Sequence, residues 1–326
     1  MSRPCTAKAI VQFSKDYQVN MEEVGQPLEQ YNTLNEFFSR HLKNGVRPVA
    51  NAENPSVAVS SADSKVMVFD TVMEATSLWI KGKHFTVDKL LGSRYDAAAW
   101  DGCAIIINRL SPGDYHRLHA PVTGSLRHIA HAGSMLYAVE AVAISSPLDV
   151  YTKNERAILE FETSSFGTVI MCAIGASQVG SIQTSVEEGQ QICKGVEVAT
   201  FKYGGSAVLT LFKRDRIKWD TDLRNNSQKL WETKVKMGPR RPVSDQKRTP
   251  RYLNSSTCSS SPVVQVPSEL KAPASGQARR RNCSSPSMNR PNKCRDGCGS
   301  VVCGWWLALT ARHLMSSKLA ERYVKD

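Results

Sequence analysis

Three separate stretches hold the residues best suited to chemistry. Ser206 follows two glycines inside Phe-Lys-Tyr-Gly-Gly-Ser-Ala-Val-Leu-Thr-Leu-Phe, residues 201–212. Gly204 and Gly205 carry no Cβ, so the backbone there can take conformations closed to other residues. The serine hydroxyl lies one residue from a nearly naked carbonyl, that of Gly205. His116 and His119 sit in Asp114-Tyr-His-Arg-Leu-His-Ala-Pro-Val-Thr-Gly124, crowded by Tyr115 and Arg117. Asp63 stands alone in a polar loop, Ser60-Ser-Ala-Asp-Ser-Lys65, just ahead of an apolar run.

By itself, Gly-Gly-Ser fits a tight hairpin turn between two strands. With a histidine cluster and a carboxylate in the same chain, a second chemistry opens, that of nucleophile, base and orienting acid. A serine hydroxyl is a weak nucleophile at its ordinary pKa, so it needs a base, and the base needs a partner to fix its tautomer. In this reading Ser206 Oγ attacks the Gly205 carbonyl and the amide becomes an ester. Elimination across Ser206 and hydrolysis then leave a pyruvoyl group at a new N-terminus. In an extended segment His116 and His119 would point to opposite faces. A turn, which Pro121 and Gly124 favour, would let them converge.

The elements that must position these residues are legible in the pattern. Residues 5–44 read as helical, with Ala9, Ile10, Phe13 and Tyr17 on one face. Leu34, Phe37, Phe38 and Leu42 form a second apolar patch rimmed by Arg40, His41 and Lys43, with Asn32 or Thr33 as N-cap and Gly45 as stop. Such a patch packs internally or rests on a membrane surface. From Val57 onward the chain breaks into apolar runs of strand length: Val66–Phe69, Cys103–Leu110, Leu136–Ile144, Ala157–Phe161, Thr168–Ile174, Val196–Tyr203 and Val208–Phe212. Helical periodicity returns only near Val87–Leu91. The pattern predicts an α+β protein: a mainly antiparallel β core, N-terminal amphipathic helices and a disordered C-terminal tail. Its parts are a helical segment over 1–50 that could contact a membrane, a core over 51–238, and a basic low-complexity tail over 239–326, disordered or aberrant.

Charge supports that division. The 326 residues carry a net charge of +12, but residues 239–326 hold 16 Lys+Arg against 5 Asp+Glu, leaving 26 against 25 for the rest. Basic runs without interleaved aromatics argue weakly for nucleic acid, so that partner is not expected. Cys5, Cys103, Cys172 and Cys193 read as scattered thiols, and the tail cysteines match no standard zinc spacing, so no metal is expected. No signal peptide or membrane span is visible.

The ordered blocks from about Asn35 to Gly238 resemble the phosphatidylserine decarboxylase family, enzymes that depend on a pyruvoyl group. They are Glu36-Phe-Phe-Ser-Arg40 with Leu42-Lys43 and Arg47-Pro48, Ala62-Asp63-Ser64, Trp79-Ile-Lys-Gly82 and Tyr115-His-Arg-Leu-His-Ala-Pro121. Further on come Asp149-Val-Tyr-Thr-Lys-Asn-Glu-Arg156, Val179-Gly-Ser-Ile182, Lys194-Gly195 and 201–212. Ala-Asp-Ser and Gly-Gly-Ser look closer to the eukaryotic endomembrane type than to the bacterial one. The resemblance implies cleavage between Gly205 and Ser206, with Ser206 as pyruvoyl precursor, His119 as the base and Asp63 as its orienting acid. It makes His116 the proton donor in turnover, with Gly204, Tyr115 and Arg117 in support. It also implies a β chain (1–205) and an α chain (206–326) that stay associated, phosphatidylserine in membranes as substrate, and a peripheral place on an intracellular membrane. A homodimer stays open.

Several positions depart from the family's pattern. Ala207 stands where Ser or Thr is usual, and Glu140-Ala141 where Asn-Pro is. Val196, Ala199 and Thr200 replace the usual Asp, Gly and Tyr. Two alternatives therefore remain: a pyruvoyl-dependent decarboxylase of a soluble aromatic amino acid, and a non-processing pseudoenzyme or lipid-binding scaffold.

Overall fold

The structure is a computed structural model that describes residues 7–80, 85–176, 181–202 and 206–238. The tail reading for 239–326, the pair Gly204-Gly205 and parts of two family blocks lie outside the described residues.

The N-terminal piece forms a small core of its own. Helix α1 (Ala7–Asp16) buries Ile10 and Phe13, and helix α2 (Leu34–Phe38) buries Phe37 and Phe38. Val24 and Tyr31 complete this cluster. Thr33 caps α2 by accepting from Glu36 N at 3.1 Å, while the Glu36 carboxylate reaches back to Asn32 N at 2.7 Å, so two orphan N–H groups are satisfied. The helix stops at Phe38, well short of Gly45; Ser39 caps it, its backbone N–H making the last helical bond to Asn35 O and its hydroxyl donating to the same carbonyl. Phe37 and Phe38 are 0% and 1% exposed. This corrects the suggestion of a lipid-facing aromatic pair: both rings are used in internal packing.

The core is an antiparallel sheet of eight strands in the order β11-β1-β2-β10-β6-β5-β4-β8. They are β1 (Ser64–Phe69), β2 (Ala104–Leu110), β4 (Gly124–Ala132), β5 (Arg156–Thr163), β6 (Gly167–Gly175), β8 (Gln191–Ile192), β10 (Ser206–Phe212) and β11 (Thr233–Val235). A second sheet of three strands has the order β3-β9-β7, from β3 (Arg117–His119), β7 (Ile182–Thr184) and β9 (Glu197–Phe201). All seven residues of β10 are buried, which explains why Val208–Phe212 reads as an apolar run rather than an alternating one.

Each face of the large sheet has its own core. On one face lie Val66, Leu159, Val208 and Phe212, packed with Leu118, Ala199 and Phe201 of the small sheet. On the other lie Met67, Ile107, Leu209 and Leu211. They are covered by helices α3 (Val72–Leu78), α4 (Val87–Leu91), α5 (Ala141–Ile144) and α6 (Val150–Lys153). Helix α7 (Thr221–Gln228) closes the β1 edge, where Ser227 Oγ accepts from Val68 N at 2.9 Å beyond the end of the β11 pairing.

Two sequence expectations change. Leu136–Ile144 is not a strand: its last four residues form α5, and Tyr137 is held through its backbone by the Asn154 amide at 2.8 and 3.0 Å. A side chain replaces the strand ladder there. Cys103 and Cys172 are buried free thiols, whereas Cys193 is disulfide-bonded, against the expectation of four thiols.

Candidate active site

Strands β9 and β10, which flank the glycine pair, belong to different sheets and do not pair with each other as the arms of a hairpin would. Ser206 then opens β10, facing Leu110 of β2 on one side and Gly175 of β6 on the other. Alternation along the strand places Ser206 with Val208 and Phe212, on the face that packs against the small sheet. The residue is 0% exposed, and its Oγ has no hydrogen-bond partner among the described residues. A buried hydroxyl left unpaired costs about 1–3 kcal/mol, an expense concentrated at reactive positions.

The strand neighbours are held from outside. Asn154, fully buried, donates through Nδ2 to Gly175 O at 2.8 Å, pinning the carbonyl of the residue opposite Ser206. The same amide binds Tyr137, as above. Asn108, on β2 and the Ser206 face, donates to Ser60 Oγ and Ser64 Oγ at 3.1 and 3.0 Å, tying the Asp63 loop to the sheet.

His116 immediately precedes β3 and His119 is its last residue, and both are buried. His116 Nδ1 lies 2.8 Å from Asp114 O, and a carbonyl can only accept, so Nδ1 carries the proton and Nε2 the lone pair. That Nε2 is buried and unpartnered. Burial pushes the His116 pKa down to about 3; the bond to Asp114 opposes this and Arg40 adds to it. The ring therefore stays neutral. Phe38 stacks on it at 3.8 Å between centroids, and Arg40 donates to Gly113 O and Asp114 O, bracing the loop just before it. The Phe-Phe-Ser-Arg block thus backs His116.

His119 is set differently. Its Nδ1–H donates to Gly195 O at 2.8 Å, leaving Nε2 to accept from Tyr115 OH at 3.3 Å. Burial lowers its pKa; Gly195, Glu197 and Asp63 oppose this, and Arg117 adds to it. Gly195 has φ +83°, and a Cβ there would run into Val49, so only glycine suits this turn. A register shift between Leu118 and His119 marks a bulge that re-aims the histidine, and His119 N donates to Ser61 O at 2.9 Å. Arg117 points elsewhere, to Ser39 O at 2.9 Å and the Glu197 carboxylate at 2.6 Å.

Asp63 is not hydrogen-bonded to His119. Arg47 Nε lies 3.0 and 3.1 Å from its two oxygens, Arg47 Nη2 lies 2.5 Å from Oδ2, and Met237 N donates to Oδ1 at 2.8 Å. Arg47 Nη2 also holds Glu23 at 2.6 Å, and Glu23 takes Lys236 at 2.5 Å. Burial alone would raise the Glu23 carboxyl, but Arg47 and Lys236 hold it below its ordinary value. Asp63 still contributes to the field at His119. The orienting partner in hydrogen-bond contact with His119 Nδ1 is the Gly195 carbonyl, which sequence reasoning named only as part of a block. Backbone partners of this kind leave no residue-type signal.

The comparisons with known proteins fit this arrangement. The family model described as phosphatidylserine decarboxylase matches residues 34–240. The chain belongs to the phosphatidylserine decarboxylase family. Its relatives include phosphatidylserine decarboxylase proenzyme 2 of Oryza sativa subsp. japonica, 43% identical over 251 residues, covering 76% of this chain and 40% of that protein. Proenzyme 3 of Schizosaccharomyces pombe is 42% identical over 237 residues, 73% of this chain and 24% of that one. The Fusobacterium nucleatum proenzyme is 32% identical over 238 residues, covering 73% and 79%. The chain thus spans less than half the length of the two eukaryotic relatives. The family match ends two residues after Gly238, the last described residue. Among the described residues, no helix is long and apolar enough to cross a membrane.

Proposed function

We propose that the chain is the proenzyme of a self-processing phosphatidylserine decarboxylase. The observation that carries the reading is Ser206 itself: a fully buried hydroxyl without a partner among the described residues, at the start of the central strand and directly after the Gly204-Gly205 pair of the sequence. A turn serine would sit at the surface with water as partner.

The first stage is maturation. His119 Nε2, the lone-pair side of its ring, takes the Ser206 Oγ proton, and Oγ attacks the Gly205 carbonyl carbon. The Gly205–Ser206 C–N bond breaks, giving an ester and a free Ser206 amine. Removal of the Ser206 α-hydrogen and loss of the Cβ–Oγ bond release the Gly205 carboxylate. Water then replaces the nitrogen, ammonia leaves, and a pyruvoyl group remains on the α chain.

The residues present suit that group: the hydroxyl that generates it and His116 Nε2 are both buried polar atoms without a partner. A pyruvoyl ketone supplies an electron sink for loss of carbon dioxide from an amine-bearing substrate. His116, braced by Phe38 and Asp114, delivers the proton to the substrate carbon. In the neutral tautomer its Nε2 is bare, so it takes up a proton before it hands one on. The substrate is a membrane lipid, which makes the protein a peripheral one, on an endomembrane in this reading.

Intact mass of the purified protein tests the reading. Two fragments divided at Gly205/Ser206, with the smaller one blocked by pyruvoyl, are expected, while Ser206→Ala stays one chain without activity. Ser206→Cys keeps a nucleophile and is expected to cleave in part. A Ser206→Ala protein cut at the normal position would rule out this site, and a single wild-type band would support the scaffold alternative.

A further inference from the structure

We infer that Arg47 is a positioning residue for self-cleavage, acting through Asp63. This rests on the proposed maturation.

Asp63 closes a short loop, 60–63, that touches the base from behind. Ser61 O accepts from His119 N at 2.9 Å, Ser60 O accepts from Gly238 N at 3.4 Å, and Ser60 Oγ takes Asn108 Nδ2. The loop holds the His119 backbone, and besides Asn108 the side chain that ties the loop down is Asp63. Its carboxylate is held by the Arg47 fork and by Met237 N. The Asp63 and Arg47 side chains are only 10% and 7% exposed. Removing one partner of such a pair leaves an uncompensated charge that pulls toward water. Here it would take the loop, and the His119 backbone, with it.

Arg47 is also shared. One nitrogen, Nη2, serves Asp63 and Glu23, and Glu23 in turn holds Lys236. The clasp therefore joins three distant parts of the chain: the N-terminal segment through Glu23 and Arg47, the Asp63 loop, and the end of β11 through Lys236 and Met237. The consequence is a checkpoint. Asp63 is fully bound only when both the N-terminal segment and the last strand have docked, so the chain is not cut before its fold is complete. Cutting earlier would free β10 before its neighbours could hold it.

The test follows the full-length chain during cell-free translation, with cleavage read on denaturing gels. Arg47→Ala is expected to slow cleavage about 10–100-fold, the scale of a small misplacement of a reacting group. Added ethylguanidinium, which refills the fork, is expected to restore part of the rate. Arg47→Lys keeps the charge without the fork and is expected to fall between the two. Thermal melts of the same variants on a Ser206→Ala background separate positioning from folding. Slow cleavage of Arg47→Lys with an unchanged melt supports the inference even where Arg47→Ala fails to fold. Wild-type cleavage rates in both variants would overturn it. So would a slowing that tracks lost stability and ignores ethylguanidinium. If the wild-type chain itself is never cut, the proposed function fails instead.

Discussion

Each histidine is committed to the same tautomer by a carbonyl at Nδ1, and what differs is the other side of the ring: His119 Nε2 meets Tyr115 OH, while His116 Nε2 has no partner among the described residues. In the proposed mechanism His119, which lies next to Tyr115 OH and is held through its backbone by Ser61 O, serves maturation. In the same mechanism His116, whose buried Nε2 has no partner among the described residues, serves turnover. His119→Ala is expected to leave one uncut chain. His116→Ala is expected to mature yet lose about 10²–10⁴-fold in turnover, the usual worth of general acid–base help. Steady-state kinetics on protein whose cleavage is confirmed by mass decide this. Near-normal turnover in the matured variant would sink the proton-donor role, and failure to mature would mean the division is reversed. His116 also predicts a pH effect on stability. Its folded pKa lies below the value of roughly 6.5 for an unfolded histidine, so the unfolded chain binds the extra proton. Stability from this group is intact above that pH and is lost as pH falls below it. By about pH 5 the loss is on the order of 2 kcal/mol. On the uncut Ser206→Ala chain, adding His116→Asn is expected to flatten the fall in melting temperature between those pH values. An unchanged slope would count against a histidine held neutral by burial.

If the chain is cut as proposed, the element that decides the fate of the two fragments is β10. Its seven residues pair with β2 on one side and β6 on the other, so the new N-terminus would begin in the middle of an eight-stranded sheet. The two fragments are therefore expected to co-elute as one species in native gel filtration and to part only when denaturant melts the sheet. Separation in buffer, with sheet circular dichroism intact, would contradict this. Strands buried on both faces, such as β10, were legible as unbroken apolar runs. The helix at Val87–Leu91 was legible too, because its apolar spacing follows Thr86, whose Oγ1 accepts from Lys89 N at 3.2 Å. Residues 136–144 misled, because Val139, Val142 and Ile144 mimic a strand. In fact Val142 is 78% exposed and the backbone bonds of Tyr137 go to a side chain.

At the scale of the whole molecule, the active-site candidates come from parts of the chain far apart in sequence, joined by a sheet on each side of one core. Composition and periodicity by themselves determined the α+β class, the antiparallel core and the nearly neutral balance of residues 1–238, since these depend on local residue types. Ser206, His116, His119 and Asp63 could be singled out as candidates as well, because few side chains can serve as nucleophile, base or acid. What only the tertiary structure decided is who touches whom. It put β9 and β10, which could have been the two arms of a hairpin, in different sheets, because strand pairing is a contact between segments and leaves no mark in either one. It gave the Phe37–Phe38 pair to the interior, where Phe38 backs His116, since an amphipathic face does not announce its partner. It put Arg47, not His119, on the Asp63 carboxylate, because two charges separated by 16 residues meet only once the chain has folded around them.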